Sequence, residues 1–212
     1  METSAFPVIA ILIPLFGALF SFLWARYAHV VGLITFGSLI VPIVFSTQAV
    51  LKGGALLHEA GGWSAPLGID LYLDGTNALL MCVVWIIGIG TSIYAAVYFS
   101  GKAERRYFWP LWLILVAGLN ALFLSRDIFN LYVTLEIVGI AAVALVALPG
   151  TRDALIAAMR YLLVSLLGSL CYLLGIALLY AEYSTIDQSL LASAASATPS
   201  TQFALAIMTG GL

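Results

Sequence analysis

Long apolar stretches without charged residues recur along the 212-residue chain, and they constrain its fold more than any other feature. A helix that crosses a membrane needs about 20 mostly apolar residues. Only 8% of the residues are charged and 63% are hydrophobic, whereas soluble domains carry about 25% charged residues. The sequence therefore predicts an all-α membrane protein and excludes a soluble globule.

The apolar stretches predict a polytopic helix bundle with six full spanning helices. Their expected ranges are 3–25, 30–51, 75–101, 107–125, about 128–148 and about 154–181. The segment "TPSTQFALAIMTGGL" begins with a capping cluster and then turns apolar before it reaches Leu212. We interpret it as the start of a seventh helix, and we expect residues 1–212 to form a single membrane domain.

The basic residues are distributed unevenly between the two sides of the predicted bundle. One side holds six of them, namely Arg26, Lys102, Arg105, Arg106, Arg152 and Arg160. The other side holds only Lys52 and Arg126. Because Lys and Arg concentrate in cytoplasmic loops, the six-residue side is predicted to be cytoplasmic and the N-terminus to lie outside.

Two segments predicted to lie on the outer side differ from the other connections in length and composition. Residues 52–74 are Gly-rich, and the alternation in "APLGIDLYL" predicts a short β-hairpin. A two-stranded hairpin is marginally stable alone, so we expect it to pack on the bundle or on a partner. Residues 188–200 are rich in Ala and Ser, which predicts a flexible external loop.

No known catalytic or metal-binding motif is present in the sequence. His29 and His58 are expected in loops without metal-ligand companions, and Cys82 and Cys171 lie in apolar stretches where thiols act as packing residues. The net charge of −2 does not suggest a nucleic-acid partner. We therefore predict no cofactor, no metal and no catalytic redox or hydrolytic site in this chain, which leaves open whether it belongs to a larger translocating enzyme.

One carboxylate lies inside a spanning stretch, in "RDIFNLYVTLEIVGIAAVALVAL", residues 126–148. A charge at the centre of a membrane helix costs about 2.5–3.5 kcal/mol even on lenient insertion scales. Glu136 is expected about 12 Å below the outer surface, with Tyr132 and Gly139 on the same helix face. Desolvation favours the protonated form of a carboxyl group, and a cationic neighbour favours the charged form. We predict that Glu136 switches between these forms during transport, in preference to a static Glu with a buried partner.

Two further polar residues are weaker candidates for a translocation route. Arg160 lies near the cytoplasmic start of the sixth helix, where it would either snorkel to the interface or join a proton path. Asn120 lies in the fourth helix, where an interhelical hydrogen bond is favoured over a channel role. The other acidic residues near helix ends are interpreted mostly as solvated or capping charges; they are Asp70, Asp74, Asp127, Asp153, Glu182 and Asp187.

Three blocks of sequence closely resemble a known family of membrane subunits. They are "GGWSAPLGIDLYLDGTNALL", "RRYFWPLWLILVAGLNALFLSRDIFNLYVTLEI" and "MRYLLVSLLGSLCYLLGIALLYAEYSTID". In this order they are similar to the antiporter-like subunits, which comprise the D subunit of Mrp-type Na+/H+ antiporters, membrane-bound hydrogenase subunits and the antiporter-like subunits of respiratory complex I. The resemblance covers nearly the whole chain and is strongest to the Mrp D and hydrogenase branch.

The resemblance implies a 14-helix fold of two inverted five-helix repeats, each with a broken helix. Residues 1–101 would hold helices one to three with the external hairpin, and residues 107–212 most of the first repeat. Glu136 matches the essential glutamate of the family's fifth helix, which in relatives pairs with a lysine on the seventh helix. Arg160 stands where relatives often have a lysine, and arginine does not readily release a proton.

These observations predict a proton- or cation-translocating antiporter-like subunit of a multisubunit complex in the bacterial or archaeal cytoplasmic (inner) membrane. Its expected partners are the lipid bilayer, other membrane subunits, and protons, with Na+ as a second candidate ion. Were Leu212 the natural end of the chain, another chain would have to supply the second half of the fold. Two alternatives remain open: a structural half-subunit without its own transport, and a membrane-arm subunit of a redox-driven hydrogenase or quinone oxidoreductase.

Overall fold

The computed structural model describes residues 5–60, 62, 68–99, 103–196 and 198–212. Within these ranges, six helices are long and apolar enough to cross a membrane, which confirms the predicted number of full spans. Some predicted features lie outside the described residues, namely the helix ends at 3–4 and 100–101, the hairpin residues 61 and 63–67, and Lys102.

Eight helices and one two-stranded sheet make up the described part of the chain. The helices are α1 (Phe6–Leu23), α2 (Ala28–Gly53), α3 (Gly75–Tyr98), α4 (Arg105–Leu124), α5 (Ile128–Ala147), α6 (Arg152–Tyr183), α7 (Gln188–Ala194) and α8 (Pro199–Gly211). A single 3-10 turn, Ala25–Tyr27, joins α1 to α2, and the strands are β1 (Leu56–Ala60) and β2 (Ile69–Leu73). The helix ends differ from their predicted positions by a few residues, and α8 occupies the segment predicted to start a seventh spanning helix.

Side-chain caps explain where several helices begin. The carboxylates of Asp74, Asp127 and Asp187 accept backbone N–H bonds in the first turns of α3, α5 and α7, and the hydroxyls of Thr151 and Thr198 do so for α6 and α8. Such caps satisfy amides that have no partner inside the helix. The capping interpretation of these three aspartates is confirmed.

Helix α4 is central to the packing of the bundle. It contacts α1, α2, α3 and α5, while α6 links α5 to α8. Five of its buried positions recur every three or four residues and define one face; they are Trp109, Leu113, Val116, Asn120 and Leu124. Helix α2 approaches this face at Gly32, where an added Cβ would lie only 2.0 Å from the Trp109 ring.

The outer connections form a continuous layer. In the predicted hairpin, β1 pairs antiparallel with β2 from Leu56 opposite Leu73 to Ala60 opposite Ile69. Leu71 of β2 also pairs with Ser125, and Asp127 pairs with Asp187. The hairpin, the α4–α5 connection and the α6–α7 connection are therefore joined by backbone contacts. All three were predicted to lie on the outer side, and the packing expected for the hairpin is confirmed.

Two expectations about irregular segments are wrong. Residues 188–194 form helix α7 instead of flexible loop, because Asp187 caps its start with two amide hydrogen bonds and Leu191 is buried beneath it. His29 lies in the first turn of α2 rather than in a loop, and His58 lies in β1. The Arg105 guanidinium contacts the His29 ring, and this polar pair lies at the end of the bundle that was predicted to be cytoplasmic.

Candidate functional site

Glu136 lines a cavity between α5, α6 and the carboxyl-terminal part of α8. The cavity has a volume of about 560 Å³. Glu136 lies eight residues beyond the first residue of α5, which corresponds to about 12 Å along the helix axis. The side chain is half-buried, so the carboxylate reaches the cavity from within the spanning part of the helix.

The cavity wall is mainly apolar but includes a set of hydroxyl groups. The hydroxyl-bearing residues of the wall are Tyr132, Tyr161, Ser165, Ser169 and Tyr172. Tyr132 and Gly139 flank Glu136 on its own helix, at the positions predicted from the sequence. Hydroxyl groups both donate and accept hydrogen bonds, so this wall can solvate either protonation state of a carboxyl group.

Close contact between α6 and α8 shapes the far side of the cavity. An added Cβ on Gly168 would lie 2.6 Å from the Gly211 carbonyl oxygen, and one on Gly211 would lie 2.3 Å from the Gly168 carbonyl oxygen. Any side chain larger than hydrogen at either position would push the helices apart. By contrast, a Cβ on Gly139 would meet only the Ser165 hydroxyl, at 3.4 Å, so α5 and α6 are less tightly apposed beside Glu136.

The Glu136 carboxylate has neither a hydrogen bond nor an ion pair with any other residue in the part of the chain that the structure describes. Carboxylates within membrane segments almost always pair with another group or face an aqueous cavity. In these ranges Glu136 has the cavity and lacks the partner. A fixed buried partner within this part of the chain is therefore excluded as the reason for its presence.

Asn120 has a different environment, on the buried face of α4. Its Nδ2 donates to the Ala10 carbonyl oxygen of α1 at 2.9 Å. Four residues after Ala10, Pro14 lacks the N–H that this carbonyl would otherwise accept within the helix. Asn120 therefore satisfies a carbonyl that a proline has left unpaired, and it does not line the Glu136 cavity.

Arg160 lies exposed on α6, eight residues after the helix begins. It makes no ion pair within the described ranges, and it does not line the cavity, although the next residue, Tyr161, does. The structure thus separates the three predicted site residues. Only Glu136 faces the cavity, while Asn120 joins α4 to α1 and Arg160 is exposed on α6.

A polar cluster at the outer end of α5 was not predicted as a unit. The Arg126 Nε lies 3.2 Å from the Asp187 Oδ2, and its guanidinium donates to the Ser189 hydroxyl at 2.6 Å. The guanidinium also lies 5.3 Å from the centre of the Tyr72 ring. Arg126 thereby connects β2, the start of α5 and the start of α7. The N-cap pattern of Asp187 followed by Ser189, similar to that after Asp127, is the sequence signal that could have revealed it.

Two carboxylates of this cluster, Asp70 and Asp187, act on a third, Asp127. Burial raises the pKa of Asp127, and the negative charges of Asp187 and Asp70 add to this effect, against the opposing amide hydrogen bonds from α5. Burial alone would also raise the pKa of Asp187, but hydrogen bonds from Ser189 and Leu190 and the charge of Arg126 lower it overall. Asp70 is only 6% exposed, and its Oδ1 has no hydrogen-bond partner among the described residues. The cluster therefore fixes the outer end of the helix that carries Glu136.

Comparison with known proteins connects this arrangement to a family. Residues 125–212 match the family described as NADH:quinone oxidoreductase/Mrp antiporter, TM. The D subunit of the Na(+)/H(+) antiporter of Alkalihalophilus pseudofirmus is 31% identical over 189 residues, which cover 87% of this chain and 38% of that protein. The N subunit of the NADH-quinone oxidoreductase of Desulforudis audaxviator is 33% identical over 197 residues, which cover 90% of this chain and 39% of that protein.

A solved structure gives the same result for the fold. A chain of the membrane-bound sulfane sulfur reductase, an archaeal respiratory membrane complex, matches with a TM-score of 0.90 at 28% identity. The match covers 97% of this chain and 43% of that one, so the chain spans about two fifths of the length of these relatives. The predicted resemblance, antiporter-like fold and membrane localisation are confirmed. This chain is a multi-pass integral membrane protein, and over nearly its whole length it is similar to the antiporter-like membrane subunits of NADH:quinone oxidoreductases and Mrp antiporters.

Proposed function

We propose that this chain carries part of the ion route of a proton/cation antiporter, and that it resembles in function the D subunit of Mrp-type Na+/H+ antiporters in a bacterial or archaeal cytoplasmic membrane. One observation carries the proposal: the half-buried Glu136 carboxylate lines a cavity within the membrane-spanning region and has no partner among the described residues. The similarity to the D subunit of a Na(+)/H(+) antiporter supports the choice of ion chemistry.

The mechanism uses protonation of the Glu136 carboxylate. As a carboxylate, Glu136 would hold a cation in the cavity or accept a proton from it. When it is protonated, the site is neutral and the counter-ion is released. The cavity has room for water molecules, which occupy about 30 Å³ each in the liquid. Tyr132, Ser165 and Tyr172 line its wall, and their hydroxyls can hydrogen-bond to water molecules that carry a proton through the cavity.

The remaining predicted residues take lesser roles in this proposal. Asn120 stabilises the α1–α4 contact through its bond to the Ala10 carbonyl, and we assign it no step in transport. Arg160 stays a candidate at the cytoplasmic entrance, because it precedes the cavity-lining Tyr161. Its permanent positive charge would tune the local potential rather than carry a proton.

We also propose how the chain is organised and with what it associates. Residues 1–101 would hold α1–α3 and the outer hairpin, and residues 107–212 would form the opening part of a five-helix transport unit. The partners would be other membrane subunits of a complex, which is supported by the similarity to a chain of an archaeal respiratory membrane complex. Protons, and Na+ in exchange, would be the transported ions.

A second function is favoured by specific observations. The similarity to the N subunit of an NADH-quinone oxidoreductase and to the sulfane sulfur reductase complex fits a membrane-arm subunit of a redox-driven ion pump. Glu136 would have the same role there, while electron transfer would occur in partner subunits. Iron–sulfur absorbance in the complex purified from its native membrane would decide for the redox pump, and its absence would decide for the antiporter.

The test of the proposal is the Glu136→Gln variant of the full-length protein in its native complex. Gln keeps the shape and removes the titratable group, so proton transport into everted vesicles is expected to fall about 100-fold, a typical loss when a proton-transferring group is removed. Glu182→Gln, at the exposed outer end of α6, is the matched control and should retain transport. Unchanged transport by Glu136→Gln in a normally assembled complex would show that Glu136 is structural.

A further inference from the structure

An apolar groove runs along the membrane-facing side of the bundle between α1 and α4. Its volume is about 580 Å³, within the range of sites that hold small molecules. One wall extends from Leu15 to Phe22 and the other from Tyr107 to Ile114. Each wall therefore follows its helix for about 10 Å, and the Tyr107 hydroxyl is the one polar side-chain group among the described residues of the lining.

The mouth of the groove lies at the end of the bundle that carries most of the basic residues. Helices α1 and α4 run in opposite directions, so Phe22 and Tyr107 are both at the end predicted to be cytoplasmic, while Leu15 and Ile114 lie further along their helices toward the other end. Arg106 immediately precedes Tyr107 in the chain. Arg26 follows Phe22 by four residues, in the 3-10 turn that packs against α4.

Both arginines at the mouth are available to an anion. Arg26 and Arg106 are exposed, and in the described part of the chain neither pairs with a carboxylate, since the one ion pair there joins Arg126 to Asp187. Each guanidinium lies within 6 Å of the adjacent tyrosine ring, which holds it near the interface. The neighbouring acid, Glu104, lines a different cavity together with Trp112 and Leu148, and so it does not face the groove.

We propose that this groove binds an anionic phospholipid, with one acyl chain between α1 and α4 and the phosphate held by Arg26 and Arg106. The apolar walls match an acyl chain, and guanidinium groups form strong charge-assisted hydrogen bonds with phosphate oxygens. Anionic lipids are enriched in the cytoplasmic leaflet, which is the side that the mouth faces. The lining of the groove shares no residue with that of the Glu136 cavity, and the proposal does not depend on the proposed function.

A second apolar groove in the same molecule serves as an internal control for the α1–α4 groove. It lies between α1 and α2, has a volume of about 470 Å³ and is lined by Ile34 among others. Its wall includes the Thr35 and Ser38 side chains, and Val31 rather than a basic residue is its first α2 residue. Arg26 lies two residues after Trp24, which lines this second groove, so the additional arginine, Arg106, distinguishes the α1–α4 groove from its neighbour. This difference makes the proposal testable with matched variants.

The experiment titrates the full-length protein, purified from its membrane in a non-ionic detergent, with dioleoyl phosphatidylglycerol or dioleoyl phosphatidylcholine, and counts bound lipids by native mass spectrometry. We expect tighter binding of phosphatidylglycerol. The double variant Arg26→Gln/Arg106→Gln should weaken that binding by about fivefold for each arginine removed and leave phosphatidylcholine unaffected. Arg152→Gln, an exposed arginine on the same side but on α6, should leave both affinities unchanged.

Filling each groove separately tests the location. Leu19→Trp, at a half-exposed position in the α1–α4 groove, should abolish the preferential binding of phosphatidylglycerol. Ile34→Trp in the α1–α2 groove should leave this binding unchanged. A photoreactive phenylalanine at position 19 should cross-link to lipid in native membranes. The proposal is overturned if the two lipids bind equally, if the double arginine variant binds phosphatidylglycerol like the parent, or if position 19 cross-links to another protein. The arginine variants decide the matter even if Leu19→Trp does not fold.

Discussion

The two halves of the bundle, α1–α4 and α5–α8, handle polar side chains at membrane depth in opposite ways. Half of the residues in the most apolar window of α4 are buried inside the chain, but only 17% of those in α5 are. The Asn120 amide in the first half donates to a carbonyl, whereas the Glu136 carboxylate in the second half lines a cavity without a partner among the described residues. The difference between these two residues is one of packing: the Asn120 amide is held between two closely packed helices, although its Oδ1 has no partner among the described residues, whereas Glu136 faces open volume.

The largest expected effect is on transport, and it distinguishes Glu136 from Asn120 when transport and the free energy of unfolding are both measured for an alanine variant of each residue. Glu136→Ala should reduce transport about 100-fold without lowering the free energy of unfolding, because it removes an unpaired carboxylate from the membrane interior. Asn120→Ala should lower the free energy of unfolding by about 1 kcal/mol, as interhelical hydrogen bonds in membranes do, and should keep transport per folded molecule. Unfolding is measured in mild detergent and transport in vesicles.

The opposite pattern would refute this contrast between the halves. If Asn120→Ala abolished transport at unchanged stability, Asn120 would belong to the ion route. If Glu136→Ala destabilised the fold as much as Asn120→Ala does, then Glu136 would have a structural partner in the assembled protein.

The next effect concerns the glycine contact that shapes the far side of the Glu136 cavity. Gly168→Ala would place a Cβ 2.6 Å from the Gly211 carbonyl oxygen, and such overpacking costs about 1–3 kcal/mol. The matched control is Gly90→Ala in α3, where no atom lies within 4 Å; there, alanine should stabilise the helix, since it is favoured over glycine by up to about 1 kcal/mol. Thermal unfolding of the two variants should move in opposite directions. Equal shifts would mean that α6 and α8 are not held in this contact.

The smallest effect tests the polar cluster at the outer end of α5. Asp187→Asn keeps the N-cap of α7, since Asn caps as well as Asp, but removes the charge that pairs with Arg126. Because the pKa of Asp187 is lowered in the fold, its charge stabilises the protein above the ordinary pKa of 3.8. We expect the variant to be less stable by about 1 kcal/mol at neutral pH.

The pH dependence supplies the control for this prediction. As pH falls from 3.8 through the lowered pKa of folded Asp187, the wild-type carboxylate becomes protonated, and the stability difference from Asp187→Asn should disappear. Chemical unfolding at several pH values measures the difference. A difference that stays constant over this range would assign the destabilisation to lost packing instead of lost charge.

The sequence predicts the spanning helices of this molecule well because their physical cause is local. About 20 apolar residues in succession suffice to specify each span, and Asp74 and Asp127 mark where α3 and α5 begin. Glu136 could be singled out for the same reason, since an acidic residue inside such a run is unfavourable by itself. Its position at depth follows from the helical rise alone.

The features that the sequence does not reveal depend on contacts between distant segments. Helix α7 was expected to be a flexible loop because its composition is Ala- and Ser-rich, but capping and the burial of Leu191 order it. The pairing of Arg126 with Asp187 joins residues 61 positions apart, and the Asn120 bond to Ala10 joins residues 110 apart. No periodicity in the sequence specifies which distant partner such a side chain will contact. The cavity beside Glu136 could not be predicted for the same reason, since helices distant in sequence form its walls.

The continuous outer layer has a consequence for biogenesis. The chain crosses the membrane in order, so β2 reaches the outer side first, then the connection at Ser125–Asp127, and finally the connection at Asp187. Each new arrival pairs through its backbone with the segment exported before it: the Arg126 amide with the Asp70 carbonyl, and the Gln188 amide with the Arg126 carbonyl. Each outer connection is thus hydrogen-bonded to the one before it in the sequence, so a helix pair inserted in the opposite orientation would lose these backbone bonds.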